Sequence, residues 1–260
     1  MSELGGDIGR AVMSAMDSGA LEVHYQPQMS ADGDHMTGVE SLVRWRGPDG
    51  ALINPAEFIP AIEADAGNIC ALGLYVLRRA CEDARAWAGI TVAVNVAPIQ
   101  FTSPGFVDSV KQAILASALP PERLELEILE TSWFEEPQKA AQIIDELRGL
   151  NISIAMDDFG TGYASLGALM QLHLDKLKID SSFVARSHEI RSASIVHSII
   201  ALARSIGMRV TAEGVETREQ QQFLKAAGCH SLQGHFFSEA VPAATISAML
   251  AGAGRDIRRS

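Results

Sequence analysis

The chain has 260 residues, enough for one large domain or two small ones, and 47% of them are hydrophobic, which excludes a disordered chain. Lys and Arg total 21 against 32 for Asp and Glu, a formal charge of −11, so the basic face of an extended nucleic-acid binder is not expected. A small anionic ligand stays open, provided its site carries local positive charge or metal. The start, MSELGGDIGR, has acids and glycines where a signal peptide needs a basic patch before an apolar run. Cys70, Cys81 and Cys229 lack zinc-ligand spacing and form an odd set, so they read as reduced thiols. A cytoplasmic location is the expectation from both features.

The first β-rich run is LEVHYQP from Leu21, and the second ends in GVESLVRW at Trp45. A helical pattern follows from Gly73 to Trp87, with Leu74, Leu77, Ala80, Cys81 and Ala84 on one face. Strand ITVAVNV places Asn95 near its end, and Ser103-Pro104 then opens a helix over Phe106 to Leu115. Strand RLELEI carries Glu127, and the helix from Pro137 to Leu150 presents Ala140, Ile143, Ile144 and Leu147. Strand ISIAMDD ends in Asp157 and Asp158, and LDKLKID carries Lys178 and Asp180. The most apolar helix, near Ile195 to Ile206, is broken by His197, Ser198, Arg204 and Ser205 and is no membrane span. MRVTAEG ends with Glu213, and a last short strand near HSLQG is followed by Gln233.

Eight strands interleaved with helices predict an α/β fold, a (β/α)₈ barrel; a doubly wound open sheet is the alternative, without a G-x-G-x-x-G after the first strand to support it. A barrel gathers the C-terminal ends of its strands into one mouth. Polar residues about 20 to 35 positions apart, one βα unit each, would meet there. Five of them are acids: Glu40, Glu127, Asp157, Asp158 and Glu213. Such a cluster cannot stay ionised without compensation, and an oxygen-rich set with one amide suits Mg²⁺ or Mn²⁺ better than zinc. Each acid alone is better read as a solvated loop residue, and Asp157-Asp158 as a helix cap. Their recurrence on strand after strand favours a site, and two metals ~4 Å apart would suit a phosphodiester.

The motifs themselves carry a resemblance. YQPQ at Tyr25 to Gln28, VESLVRW, EFIPAIEADAG, NVAPIQF, LELEILET, DDFGTGYASL, LKID, AEGVET and QGHFF stand in one order and at compatible spacing. Together they resemble the EAL-domain family of c-di-GMP phosphodiesterases, from about Leu21 to Leu250. The resemblance implies an EAL-type barrel with room for one antiparallel strand, over residues 21–252. Residues 1–20 would be an N-terminal extension or helix and 253–260 a tail. It also implies metal-dependent hydrolysis of cyclic di-GMP to linear 5′-pGpG, with Ca²⁺ inhibitory, and a homodimer.

By position, the resemblance assigns Glu40, Asn95, Glu127 and Asp157 to a first metal. Asp158 and Glu213 would hold a second metal or position the attacking water. Lys178 would bond that water, Gln233 would orient it, and Arg44 would clamp a phosphate. Gln26, Leu42 and Asp180 would line the substrate pocket. Glu130 would anchor the loop from Phe159 to Leu166, which in many relatives joins a dimer surface. The chain departs from the pattern at Ser41, Ala97 and Ala164, none of them a metal ligand. Alternatives are an inactive c-di-GMP receptor, an interaction scaffold, or a barrel hydrolase of another phosphodiester. The seven histidines lack paired ligand spacing, and Trp45 and Trp87 read as packing residues.

Overall fold

The computed structural model describes residues 2–47, 49–129, 136–160 and 172–256, with side chains from Ile8 to Gly252 within those ranges. Among them the elements run α1 (Ser2–Ser18), β1 (Leu21–Ser30), β2 (Met36–Arg46), β3 (Leu52–Ile53), α2 (Pro55–Glu63), α3 (Ala66–Ala84), β4 (Thr91–Val96), α4 (Pro98–Phe101) and α5 (Phe106–Ser117). They continue with β5 (Leu124–Leu129), α6 (Pro137–Gly149), β6 (Ser153–Phe159), β7 (Lys176–Ile179), α7 (Ser181–Ala185) and α8 (Ile190–Ser205). The last are β8 (Arg209–Ala212), α9 (Arg218–Ala227), β9 (Ser231–Gln233), β10 (Val241–Pro242) and α10 (Ala243–Asp256).

The strands are ordered β1-β9-β8-β7-β6-β5-β4-β2, and β1 pairs with β2 to close the barrel. That closure rules out the open doubly wound sheet. From β2 through β9 the neighbours are parallel, while β1 runs antiparallel to both β2 and β9. All eight β-rich runs of the sequence are barrel strands. The two-residue strands β3 and β10 extend the sheet at its margins and are too short to leave a periodic signal. Helix α5 starts after Gly105, two residues beyond the Ser103-Pro104 signal, because Gly105 takes the left-handed conformation at φ 81°.

The apolar core lies between sheet and helices. Leu124, Leu126 and Ile128 of β5 are fully buried there, as are Leu77, Ala80, Cys81 and Ala84 of α3. Tyr25 meets Trp87 edge to face at 4.7 Å and donates its hydroxyl to Asp83 at 2.7 Å. Alternation along the strands turns the intervening residues into the barrel, and on β5 and β7 these are charged: Glu125, Glu127, Lys176 and Lys178. Lys176 on β7 pairs with Glu125 on β5 at 2.6 Å and reaches Gln28 on β1 at 3.4 Å. These three buried residues form a charged layer below the mouth.

The turn after β9 carries a close approach that can be tested. A Cβ added to Gly234 would fall 2.1 Å from the carbonyl oxygen of Val215 and 2.3 Å from its nitrogen, both rigid backbone. Gly234→Ala is therefore expected to lower Tm by several degrees in thermal denaturation, on the scale of an overpacked core site, ~1–3 kcal/mol. A Tm within one degree of wild type would contradict this packing.

Candidate active site

The acid cluster forms at the C-terminal ends of the strands, around Lys178. The Lys178 ammonium is fully buried. It lies 2.7 Å from Glu127 Oε2, 2.6 Å from Glu213 Oε1, 3.1 Å from Asp157 Oδ1 and 3.5 Å from Glu40 Oε2. The residues come from β7, β5, the segment after β8, β6 and β2, so the contacts span the barrel mouth. Burial alone would discharge this amine, but the four facing carboxylates outweigh it and hold its pKa well above the ordinary lysine value.

The carboxylates divide by environment. Burial pushes Glu127 well above its ordinary value, and neighbouring acids add to the rise despite Lys178. Glu213 is pushed up to about 8, again chiefly by burial. Glu40 is held low, because Lys178 and hydrogen bonds from Gln233 and Asn95 outweigh its burial. Asp158 is raised by burial and by the adjacent Asp157.

Asp157 and Asp158 share the mouth because β6 breaks its regular pleat there. Its register against β7 shifts between Met156 and Phe159, and Asp158 sits at φ 54°. An aspartate tolerates this left-handed conformation better than most residues. The twist cancels the usual up–down alternation, and Asp157 Oδ1 accepts from the Asp158 N–H at 2.9 Å. Carboxylate oxygens of Glu40, Glu127 and Asp157 lie within 4.8 Å of one another, as do those of Asp157, Asp158 and Glu213. The two groups meet at Asp157.

The donor set fits metal. Glu127 Oε1 and Gln233 Oε1 are buried without a hydrogen-bond partner. Four carboxylates face one lysine, which leaves excess negative charge. Asn95 donates through Nδ2 to Glu40 Oε1 at 2.7 Å, which leaves its carbonyl oxygen as a ligand atom. Gln233 Nε2 donates to Glu40 Oε2 at 2.6 Å and to Gln26 Oε1 at 3.0 Å, and Gln26 in turn donates to the Ser238 carbonyl.

Two cavities of about 290 Å³ flank the cluster, and Leu42 borders both. One is lined by Gln26, Glu40, Glu213, Gln233 and His235. The other is lined by Arg44, Asn95, Asp157, Asp158 and the apolar faces of α2 and α3. Arg44 is half-buried, donates to the Val43 carbonyl at 2.8 Å, and has no ion pair with an acid among the described residues. Asp180 caps α7 by accepting from the Ser182 N–H, a helix-end role that its sequence position alone did not disclose. Wider depressions of about 550 Å³ around Arg148 and Asp175 lie at the opposite rim, away from the acids. Ser41, one of the departures from the family pattern, finds a partner in the Ala93 carbonyl at 2.9 Å. Glu130, Ala164 and most of the Phe159–Leu166 loop lie outside the described residues.

Sequence reading brought Glu40, Asn95, Glu127, Asp157, Asp158, Lys178, Glu213 and Gln233 to one mouth, and the structure places them together. It missed Lys178 as the direct partner of the acids, and it missed the Glu125–Lys176 layer beneath. The signal was present: Glu125 and Glu127, like Lys176 and Lys178, are two apart and so share a strand face.

A family model described as EAL domain matches residues 10–240. An uncharacterized signaling protein of Caulobacter vibrioides is 42% identical over 238 residues, covering 91% of this chain and 29% of its own length. The bifunctional diguanylate cyclase/cyclic di-GMP phosphodiesterase MucR of Pseudomonas aeruginosa is 40% identical over 243 residues, covering 91% and 35%. The chain spans about a third of the length of these curated relatives. A solved structure of the PaMucR phosphodiesterase in a c-di-GMP complex matches with TM-score 0.87 at 38% identity, over 92% of this chain and 99% of that one. The chain belongs to the EAL domain family.

Proposed function

We propose that this chain hydrolyses cyclic di-GMP to linear 5′-pGpG. The observation that carries the reading is the acid–lysine cluster at the junction of two cavities. A cyclic dinucleotide has two bases and two phosphates, and that junction would seat one phosphate with a base on either side. The matched complex of PaMucR with c-di-GMP supports the same ligand.

Glu40, Asn95, Glu127, Asp157 and Asp158 would hold Mg²⁺ or Mn²⁺, with Glu213 completing a second group of acids around Asp157. Bound divalent metal supplies Lewis acidity toward water and the leaving oxygen. Glu213 would position the attacking water, and Lys178 places positive charge where the phosphate oxygens become more negative. Gln233 holds Glu40 and Gln26 in place through one amide nitrogen. Arg44 clamps a phosphate, and Gln26, Leu42 and Asp180 line the substrate. Glu130 is proposed as the loop anchor, and the loop as part of a homodimer surface. A cytoplasmic enzyme is the matching location; no helix among the described residues is long and apolar enough to cross a membrane.

Turnover with each metal tests the reading. Mg²⁺ or Mn²⁺ should support hydrolysis, while Ca²⁺, with its larger and looser coordination, should stall it. Equal rates in chelator and in Mg²⁺ would reject the metal-dependent mechanism.

Metal binding should also release protons. Burial raises both Glu127 and Glu213 without metal, Glu213 to about 8, so at pH 7 Glu213 retains a proton that a free carboxylate would have lost. A cation must displace that proton, so affinity tightens as pH rises through about 8. Each proton released steepens the dependence by up to about tenfold per pH unit. Calorimetry in two buffers of different ionisation enthalpy measures the release. An identical heat in both buffers at pH 7 would contradict it.

A further inference from the structure

We propose that Gln100 reads the hydrogen-bonding edge of one base of the cyclic dinucleotide, from a seat made by Gly73. The inference rests on the ligand named above. Gln100 sits on α4, five residues after Asn95, and is only 6% exposed. Its main-chain carbonyl accepts from the Ser103 hydroxyl, but its side-chain amide has no hydrogen-bond partner among the described residues. The amide nitrogens of Asn95, Gln26 and Gln233 all donate hydrogen bonds. Neither amide atom is fully buried, so both are open to the cavity and free to meet a ligand there.

Gln100 lines the same cavity as Arg44 and Asn95. The other walls include Leu42, Pro55, Ile59 and Leu72, an apolar slot that suits a flat ring. Guanine presents a donor at N1 beside an acceptor at O6. A glutamine amide complements that edge with Oε1 accepting and Nε2 donating, the bidentate geometry by which amides read bases.

Gly73 has a separate reason to be glycine. It lies in the middle of α3, where glycine is unfavourable, and its φ is not in the left-handed region. A Cβ there would fall 2.1 Å from Gln100 Oε1 and 2.5 Å from Cδ and Nε2. The bare Cα of α3 therefore sets where the amide lies. Two residues on different helices converge on one function.

The test uses Gln100→Leu, Gly73→Ala and the double variant. Binding of c-di-GMP is measured by calorimetry in Ca²⁺, and turnover in Mg²⁺. A second substrate, bis(4-nitrophenyl) phosphate, has a phosphodiester but no bases. Each single variant should weaken Kd and raise KM for c-di-GMP by about tenfold or more. Turnover of bis(4-nitrophenyl) phosphate should stay within about twofold of wild type, and the double variant should be no worse than Gln100→Leu, because both changes remove one contact. The proposal is overturned if c-di-GMP Kd and KM stay within about twofold, if turnover of the base-free substrate falls in parallel, or if the two losses add. A wild-type chain that binds c-di-GMP without cleaving it would sink the hydrolase reading alone, and the base contact would still be decided on Kd. A wild-type chain that does not bind c-di-GMP would sink both.

Discussion

Lys178→Ala is expected to lower kcat for c-di-GMP by about two orders of magnitude or more, on the scale of losing one electrostatic group at a transition state. The expected change in KM is small, because Arg44 and the metal ligands remain. The same substitution should separate stability with and without metal. Lys178 is the buried cation among four acids, and its loss leaves the ionised Glu40 carboxylate without its counter-charge. Removing one partner of a buried ion pair costs about 3–5 kcal/mol. Tm in chelator should therefore fall sharply, and saturating Mg²⁺ should recover much of it, since the metal replaces the missing charge. Steady-state kinetics and thermal melts in both conditions check this. A kcat within about tenfold of wild type would remove Lys178 from the chemical step.

Glu127→Gln is expected to abolish hydrolysis, with less than about 1% of wild-type activity, through loss of an anionic ligand. Its effect on stability should be the reverse of the lysine variant. Glu127 is almost fully buried, and burial and the neighbouring acids shift it toward the protonated form in the metal-free protein. Glutamine has the shape of that form, and its carbonyl can still accept from Lys178. Tm in chelator should stay close to wild type, or rise as repulsion within the cluster falls. The stabilising shift that Mg²⁺ gives the wild type should largely vanish. Activity within a few-fold of wild type would show that Glu127 does not hold the metal. A collapse of Tm in chelator would show a structural role instead.

The barrel was legible because its strands are short β-rich runs that end in polar residues, as in ITVAVNV and ISIAMDD. Those strand ends also made most of the acid cluster legible, since a barrel brings them together whatever lies between. What stayed hidden depends on local backbone and on contacts across the barrel. The left-handed conformation of Asp158 aims two adjacent acids at one site, and composition carries no sign of it. Lys178 as the counter-charge of Glu127 and Glu213 requires the width of the mouth, a tertiary quantity. Gln100 and Gly73 sit on different helices, and only tertiary packing brings the glycine against the amide. The capping role of Asp180 belongs to a five-residue helix too short to show a period.

Purified protein incubated with c-di-GMP and Mg²⁺, followed by chromatography of the nucleotides, separates a hydrolase from a receptor. An intact set of acids around a charged lysine predicts conversion of the cyclic dinucleotide to linear 5′-pGpG, absent in chelator. Recovery of c-di-GMP unchanged with Mg²⁺ and with Mn²⁺, from protein that binds it, would contradict the hydrolase and leave a receptor in its place.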